Sequence, residues 1–400
     1  MSSDLTIVTL TFQPSTDATS KLMTDLAVGL QQKGLKVRVL ASNRSYLYPD
    51  QVLESEGYYE GVRVSRLNIP KLDKNNTMKK LLMYWMFTNK AINSLKSENT
   101  KCVISLLPPL FSPCRISRFT RRKGVKGILL IHDLLPDAWL NLGLIGNNPA
   151  FMVLRKQLIK ALDFTDKIVL LGRDVKEYVL QTYGKELERK IVIIPNWAVV
   201  SSTAAIAEEM KDVFQKKFTI VYSGNFGEAS DFDTLLGSAK LLESEQDIRF
   251  VLIGNGRNKP AVRSKVKSLG LENIFFKDFL PDTTYRYVLD KASAFVVAMN
   301  KGSKGTSVPS KFYTYLSAGK PVIGIVPEGS EVALAIEEKS LGFVCSDYRA
   351  ATLASQITVL KNDESLYRQM SINTGNVFTS EYSREKIISS YYEIVKELIK

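Results

Sequence analysis

The residues with the clearest chemical promise lie together near position 310. Pro309-Ser310-Lys311-Phe312-Tyr313-Thr314-Tyr315-Leu316-Ser317-Ala318-Gly319-Lys320 reads as a helix that opens on Pro-Ser and stops at a glycine. The short apolar strand Pro321–Ile325 follows. A helix entered from a loop turns its unpaired N–H groups, and the positive end of its dipole, outward. Lys311 in the first turn adds a full positive charge, and the combination suits a phosphate. The same residues also describe an ordinary helix–strand connection, and local physics leaves both readings open.

Other candidates stand at the ends of apolar runs. His132, the only histidine, follows Gly127–Ile131 directly, with Asp133 beside it in Ile131-His132-Asp133-Leu134-Leu135-Pro136-Asp137. Functional residues concentrate on loops that a rigid scaffold positions. Gly224-Asn225-Phe226-Gly227 follows Phe218–Tyr222, and Gly254-Asn255-Gly256 follows Arg249–Ile253. Glycines there let a backbone approach an anion closely, or simply make a turn. Asp231-Phe232-Asp233 spells an acidic pair of the metal-holding kind, but it opens a predicted helix, where aspartates cap free N–H groups. No metal site is expected. There is no GxxxxGK[ST] loop, no GxGxxG after a strand and no Ser/His/Asp arrangement in recognisable context.

These residues hang on a repeated pattern of short apolar strands and amphipathic helices, the mark of a doubly wound α/β chain. Thr6–Thr11, Lys36–Leu40, Val103–Leu106, Gly127–Ile131, Lys167–Leu171 and Lys190–Ile194 are strand candidates in the first half. Phe218–Tyr222, Arg249–Ile253, Asn273–Phe276 and Ala294–Ala298 begin a second series. Ala198 to Lys217 reads as a linker, small and polar before it turns helical. Four hundred residues suit two domains, expected at 1–197 and 218–380, with 381–400 a closing helix.

Composition narrows the class. Apolar content of 45% and charged content of 24% are those of a globular chain, and no apolar run reaches the ~20 residues that span a bilayer. Met1 to Leu10 has no basic region followed by an apolar one, so no secretion signal is expected. Cys102, Cys114 and Cys345 follow no metal or redox spacing and fit buried thiols in a reducing cytoplasm. The net charge of +13 is lopsided: residues 1–200 hold 29 Lys and Arg against 17 Asp and Glu, and residues 201–400 hold 25 against 24. A basic half attracts polyanions. With no zinc-knuckle or RNP-like motif, nucleic acid is not expected, and an anionic membrane surface or a phosphorylated lipid is favoured over a merely solvated face. Lys79 to Lys96, with Leu81-Leu82-Met83-Tyr84-Trp85-Met86-Phe87, and the run Arg115 to Lys126 are its local foci. Each has a plainer reading, as a core helix with a lysine edge and as a cation-rich helix C-terminus.

Pro309-Ser310-Lys311, then Tyr315-Leu316-Ser317-Ala318-Gly319-Lys320-Pro321-Val322-Ile323, resembles the nucleotide-sugar segment of the family 4 retaining glycosyltransferases, in particular the exopolysaccharide and O-antigen (colanic-acid-type) branch. Ile194-Pro195-Asn196 resembles the turn that closes that family's first domain. The resemblance implies a GT-B fold: two Rossmann-like domains facing a central cleft, with the last helix crossing back to the first. It implies donor contacts from Gly224, Asn225, Phe226, Gly227, Gly254, Asn255, Phe279, Leu280, Pro309, Ser310 and Thr314, with Lys311 stabilising the departing diphosphate. Gly256 and the turn Gly329-Ser330-Glu331 are lesser candidates. His132 and Asp133 match the acceptor-side motif and join Lys311 as catalytic candidates, and Asp17, Ala18 and Thr19 are acceptor-side candidates on a loop where Asp17-Ala18 replaces the paired glycines that family members often carry beside the phosphates. The chain departs from the family where an arginine and a lysine give way to Asn225 and Ser230, and where two glutamates give way to Thr306 and Thr314.

The implied activity is metal-independent, retaining transfer of a sugar from a UDP- or GDP-sugar to a lipid-linked or free glycan acceptor, without a resident cofactor. The implied place is the cytoplasm, peripheral on the inner face of the plasma membrane. Two alternatives remain in view: a nucleotide-sugar 2-epimerase, against which a single histidine argues, and a non-catalytic nucleotide-binding partner of a transferase, for which the two threonines argue.

Overall fold

The computed structural model describes residues 2–44, 50–70, 77–201, 203–205, 208–215 and 217–400. The chain divides into two compact units. Unit 1 holds Met1–Asn196, Gly305–Val308 and Arg384–Lys400, and unit 2 holds Trp197–Lys304 and Pro309–Ser383.

Unit 1 runs β1 (Ser2–Val8), α1 (Ala18–Gln32), β2 (Val37–Ser42), β3 (Glu56–Tyr59), β4 (Val62–Leu67), α2 (Thr77–Lys96) and β5 (Asn99–Leu107). It continues with α3 (Ser112–Lys123), β6 (Lys126–Ile131), α4 (Asp137–Asn141), α5 (Pro149–Phe164), β7 (Lys167–Leu170), α6 (Arg173–Tyr183) and β8 (Ile191–Ile193). The sheet order is β3-β4-β2-β1-β5-β6-β7-β8. All neighbours are parallel except β3 and β4. Strands covered on both faces must be apolar throughout, and β5 and β6 are buried from Cys102 and Gly127 onward. Strand order reverses between β1 and β5, so the loops after β1, β5 and β6 gather at the switch point where such sheets bind ligands.

Right-handed crossovers place α2, α3 and α5 on one side of this sheet and α1 on the other. Met83, Phe87, Ala91 and Leu95 of α2, at helical spacing, join Val8, Leu40, Val103 and Ile116 in the core. The plainer reading of that helix is therefore correct for its inner face. The last helix returns to this unit: an ion pair of 2.6 Å joins Arg384 to Asp25 of α1, and Ile387, Ile388, Tyr391 and Val395 are buried.

Unit 2 opens with α7 (Glu208–Phe214) inside the expected linker, of which residues 202, 206, 207 and 216 lie outside the described ones. It continues β9 (Phe218–Ser223), α8 (Asp233–Leu241), β10 (Ile248–Ile253), α9 (Lys259–Ser268), β11 (Ile274–Lys277), α10 (Asp282–Lys291) and β12 (Ala294–Ala298). Then come α11 (Lys311–Leu316), β13 (Val322–Ile325), α12 (Glu331–Lys339), β14 (Gly342–Val344), α13 (Ala350–Asn362) and α14 (Glu364–Glu381), after which α15 (Arg384–Ile399) belongs to unit 1. The all-parallel order is β11-β10-β9-β12-β13-β14, with its switch point between β9 and β12.

Two expectations need correction. The helix read over 310–318 is one and a half turns long, because Ser317 and Gly319 close it with turns back to Tyr313 and Leu316. Its dipole is correspondingly small, which shifts weight from the helix end to the Lys311 charge. The segment Gly305–Val308, expected inside the second domain, belongs to unit 1. There Leu134 N donates to Thr306 O at 2.8 Å, Ser307 bridges to Asp133, and Gly305 N donates to the buried Asp174 carboxylate at 3.1 Å.

Candidate active site

The donor candidates of unit 2 lie on three loops at the switch point of its sheet. The loop after β9 leaves Ser223 and reaches Gly224 at φ +137°, and the loop after β10 begins at Gly254 at φ +133°. The two pack backbone to backbone: a Cβ added to Gly254 would fall 1.9 Å from Gly224 O. Phe226 N donates to Asn255 O and Asn258 N to Phe226 O, each at 2.9 Å. Lys311 reaches this double loop from α11. Its Nζ stands 3.9 Å from the centre of the Tyr222 ring, and both Cε and Nζ would be 3.0 Å from a Cβ on Gly224. An ammonium group held over an aromatic face beside an open glycine backbone is ready for an anion.

α11 is held in place by hydroxyls that the sequence did not announce. Tyr315, fully buried and stacked on Phe295 at 4.5 Å, accepts a hydrogen bond of 2.7 Å from Ser223 N. Tyr285 joins through Ser223 Oγ at 2.5 Å. Burial pushes the Tyr285 phenol up to about 12 and raises that of Tyr315 as well, so both are neutral hydrogen-bonding pins. A second unannounced residue is Lys259, at the start of α9 and 5% exposed. Its ammonium donates to Gly254 O at 2.5 Å, Lys277 O at 3.0 Å and Asp278 at 2.5 Å, tying the ends of β10 and β11. The only signal in the sequence is a lysine placed where a helix dipole disfavours it.

The remaining donor candidates sort by exposure. Asn225 is exposed and Gly227 half-buried. Phe226 is fully buried, stacked on Phe232 at 4.8 Å, and its backbone N–H is already engaged, so it supports the loop from behind. Pro309, Ser310 and Thr314 are half-buried along α11 and its approach, Phe279 is 60% exposed after β11, and Leu280 beside it is half-buried. Ser330 caps α12 through Ala333 N, and the Lys304 ammonium bonds Glu328 O at 2.5 Å beside Gly329. Asp231 caps α8 through Thr234 N at 2.9 Å, and Asp233 pairs with Lys265 at 2.6 Å. No group of three or more potential metal ligands occurs among the described residues.

The acceptor-side candidates lie in unit 1. His132 follows β6, its N donating to Leu107 O at 3.0 Å. Its Nε2 is shielded from solvent and has no hydrogen-bond partner among the described residues. Burial pushes the imidazole down to about 4, which keeps it neutral at physiological pH. Asp133 is exposed, yet protein crowds it closely enough to push its carboxyl up to about 6. Asp17 is less available than its position suggested. Its carboxylate caps α1 through Ser20 N at 3.1 Å and takes hydroxyls from Thr11 at 3.0 Å and Ser15 at 2.8 Å. Ala18 is exposed and Thr19 half-buried beside it.

Two doubly wound sheets of this kind are the fold of the GT-B glycosyltransferases. A model described as "Glycosyltransferase Family 4" matches residues 19–224, and one described as "Glycosyl transferases group 1" matches residues 206–377. The chain belongs to glycosyltransferase family 4. It is similar to the probable glycosyltransferase WbjE of Pseudomonas aeruginosa, 24% identical over 240 residues that make up 58% of this chain and 59% of the relative. It is also similar to the putative colanic acid biosynthesis glycosyl transferase WcaI of Escherichia coli (strain K12), 24% identical over 85% of each chain. Among solved structures, Anabaena Alr3699/HepE in complex with UDP and glucose shares the fold, with a TM-score of 0.74 over 99% of this chain and 100% of that one at 10% identity. The epimerase and non-catalytic alternatives receive no support.

Proposed function

We propose that the protein moves a sugar from a nucleoside-diphosphate sugar to a lipid-linked glycan acceptor in surface-polysaccharide synthesis. The reaction retains anomeric configuration, uses no metal, and proceeds at the cytoplasmic face of an anionic membrane. The single observation that carries this reading is the Lys311 ammonium seated at Gly224. The donor diphosphate lies against the Gly224–Gly227 backbone, with Lys311 neutralising the charge that grows on the leaving oxygen. Pro309, Ser310 and the exposed amide of Asn225 frame it, Thr314 takes a ribose hydroxyl, and Gly254, Asn255 and Phe279 border the base. The relatives' named roles in glycosyl transfer and colanic acid synthesis, and the UDP in the HepE structure, support this assignment.

In the transfer, the bond from the anomeric carbon to the diphosphate oxygen breaks. A new bond forms to the acceptor oxygen on the same face, and the acceptor proton passes to the leaving diphosphate. His132, Asp133 and the loop carrying Ala18 and Thr19 orient the acceptor. Neutral His132 offers an unpaired Nε2 and Asp133 a carboxylate for sugar hydroxyls. Incubation with a panel of UDP- and GDP-sugars, with and without a polyprenyl-diphosphate glycan, tests the reading. Acceptor-dependent release of nucleoside diphosphate is expected, and it is lost in Lys311→Ala. Release by Lys311→Ala at the wild-type rate would contradict the role given to that lysine.

A further inference from the structure

The positive charge of unit 1 is not spread over its surface. Of the helices that cover one side of its sheet, α2 carries four Lys and Arg, α3 five and α5 three, whereas α6 at the far edge balances Arg173 and Lys176 with Asp174 and Glu177. The one acidic residue in α2, α3 and α5 is Asp163. Twelve cations against a single carboxylate nearly equal the whole chain's net charge of +13. The three helices are contiguous, with α3 packed against both α2 and α5. Arg118, Arg121, Arg122 and Lys123 of α3 and Lys156 and Lys160 of α5 are exposed, and the guanidinium of Arg121 lies 5.0 Å from the Phe164 ring across the α3–α5 seam.

A second observation separates the possible polyanions. Fourteen large apolar side chains are exposed among the described residues, and five sit on these helices: Leu82 and Trp85 on α2, and Met152, Val153 and Ile159 on α5. Leu144, in the loop leading to α5, is a sixth. Favourable helix C-terminal charges explain Arg121, Arg122 and Lys123 of α3 and Lys96 of α2, but neither Lys79, Lys80 and Lys90 of α2 and Lys156 and Lys160 of α5 nor the apolar chains between them. Aliphatic groups interleaved with cations are what an anionic bilayer surface takes up, the apolar chains entering the headgroup layer while the cations meet phosphates. A nucleic acid would gain nothing from Leu82, Met152, Val153 or Ile159.

We propose that the outer face of α2, α3 and α5 is the surface by which this protein docks on an anionic phospholipid membrane, with Trp85, Met152, Val153 and Ile159 entering the headgroup layer. The proposal deepens the membrane reading above and rests on it for the partner's identity. Vesicle binding is read without donor or acceptor, so its failure is distinct from a failure of sugar transfer.

The test is co-sedimentation with vesicles of phosphatidylcholine alone and of phosphatidylcholine with 30% phosphatidylglycerol, at low salt and at 0.5 M salt. Binding is expected only to the anionic vesicles, falling with salt, with a blue shift of Trp85 fluorescence that Trp85→Phe abolishes. Each cation removed should weaken partitioning by about fivefold. Arg118→Glu/Arg122→Glu and Lys156→Glu/Lys160→Glu should each therefore lose most binding. Lys267→Glu/Lys291→Glu, matched in charge on unit 2, should keep it. Wild-type circular dichroism and thermal unfolding in all three double variants confirm that they fold. Equal loss in the unit 2 control, equal binding to neutral vesicles, or binding of a DNA duplex with none of vesicles would overturn the proposal.

Discussion

Replacing Gly224 by alanine perturbs the donor loop where two effects can be separated. The residue holds φ at +137°, a conformation that costs a side-chain-bearing residue about 1–3 kcal/mol. The new Cβ would also stand 3.0 Å from Lys311 Cε and Nζ. The end of a lysine yields easily, so the collision adds little to the folding cost, but it drives the ammonium off its seat. A charge-assisted hydrogen bond is worth about 1.5–3 kcal/mol, which corresponds to a roughly 10- to 150-fold loss of nucleotide affinity. The assay is calorimetric titration with UDP and GDP alongside denaturant unfolding. The loss should not add to that of Lys311→Ala, because both act on one ammonium, so the double variant should bind no worse than Lys311→Ala alone. Wild-type affinity in Gly224→Ala, or full additivity in the double variant, would refute the idea that Lys311 and the Gly224 backbone hold one anion. Gly254→Ala offers the contrast. Its Cβ would meet a backbone oxygen at 1.9 Å, so the loop itself must shift, and stability should fall along with binding.

Other expectations follow from the same contacts. Tyr315→Phe leaves the buried N–H of Ser223 without its acceptor, at a cost of about 1–3 kcal/mol, and UDP affinity should fall with it; unchanged denaturant unfolding would deny that this hydroxyl pins α11. Lys259→Met keeps the stem but strips two carbonyls and Asp278 of their donor. The Asp278 carboxyl, held low chiefly by its hydrogen bond to Lys259, should return toward the ordinary carboxylate range in an NMR titration. Asp133 tests pH. Its carboxyl sits above the unfolded value, so in the wild type the unfolded chain ionises first and stability is lost as pH rises from about 4 to about 6. Asp133→Asn lacks that loss, so its melting temperature relative to wild type should climb across this window and level off above it. A difference that stays flat from pH 4 to 7 would show that Asp133 is not crowded in this way.

Much of the fold could be read because parallel strands advertise themselves. Val103–Leu106 and Gly127–Ile131 are unbroken apolar runs, buried on both faces as β5 and β6. The glycine loops after β9 and β10 were legible because a glycine directly after such a run has few other uses. The hairpin of β3 and β4 was not singled out, since Glu56–Tyr59 alternates half-buried with exposed positions and shows no apolar run. Phe226 could not be placed from sequence, because an aromatic after Gly-Asn reads alike whether it meets a ligand or the core. Asp17 presented a similar ambiguity between ligand and helix cap, and the structure commits its carboxylate to the cap. The pairing of Ser307 with Asp133 spans some 170 residues, and no local pattern encodes it. Lys259 and Tyr315 were missed for the same reason: their partners, Asp278 and Ser223, are set by packing.

The most direct measurement is a crystal structure of the protein with UDP bound. The diphosphate is expected within hydrogen-bonding distance of Lys311 Nζ, against the Gly224–Gly227 backbone. A diphosphate bound elsewhere, with Lys311 still over the Tyr222 ring and no anion beside it, would contradict the donor site described above.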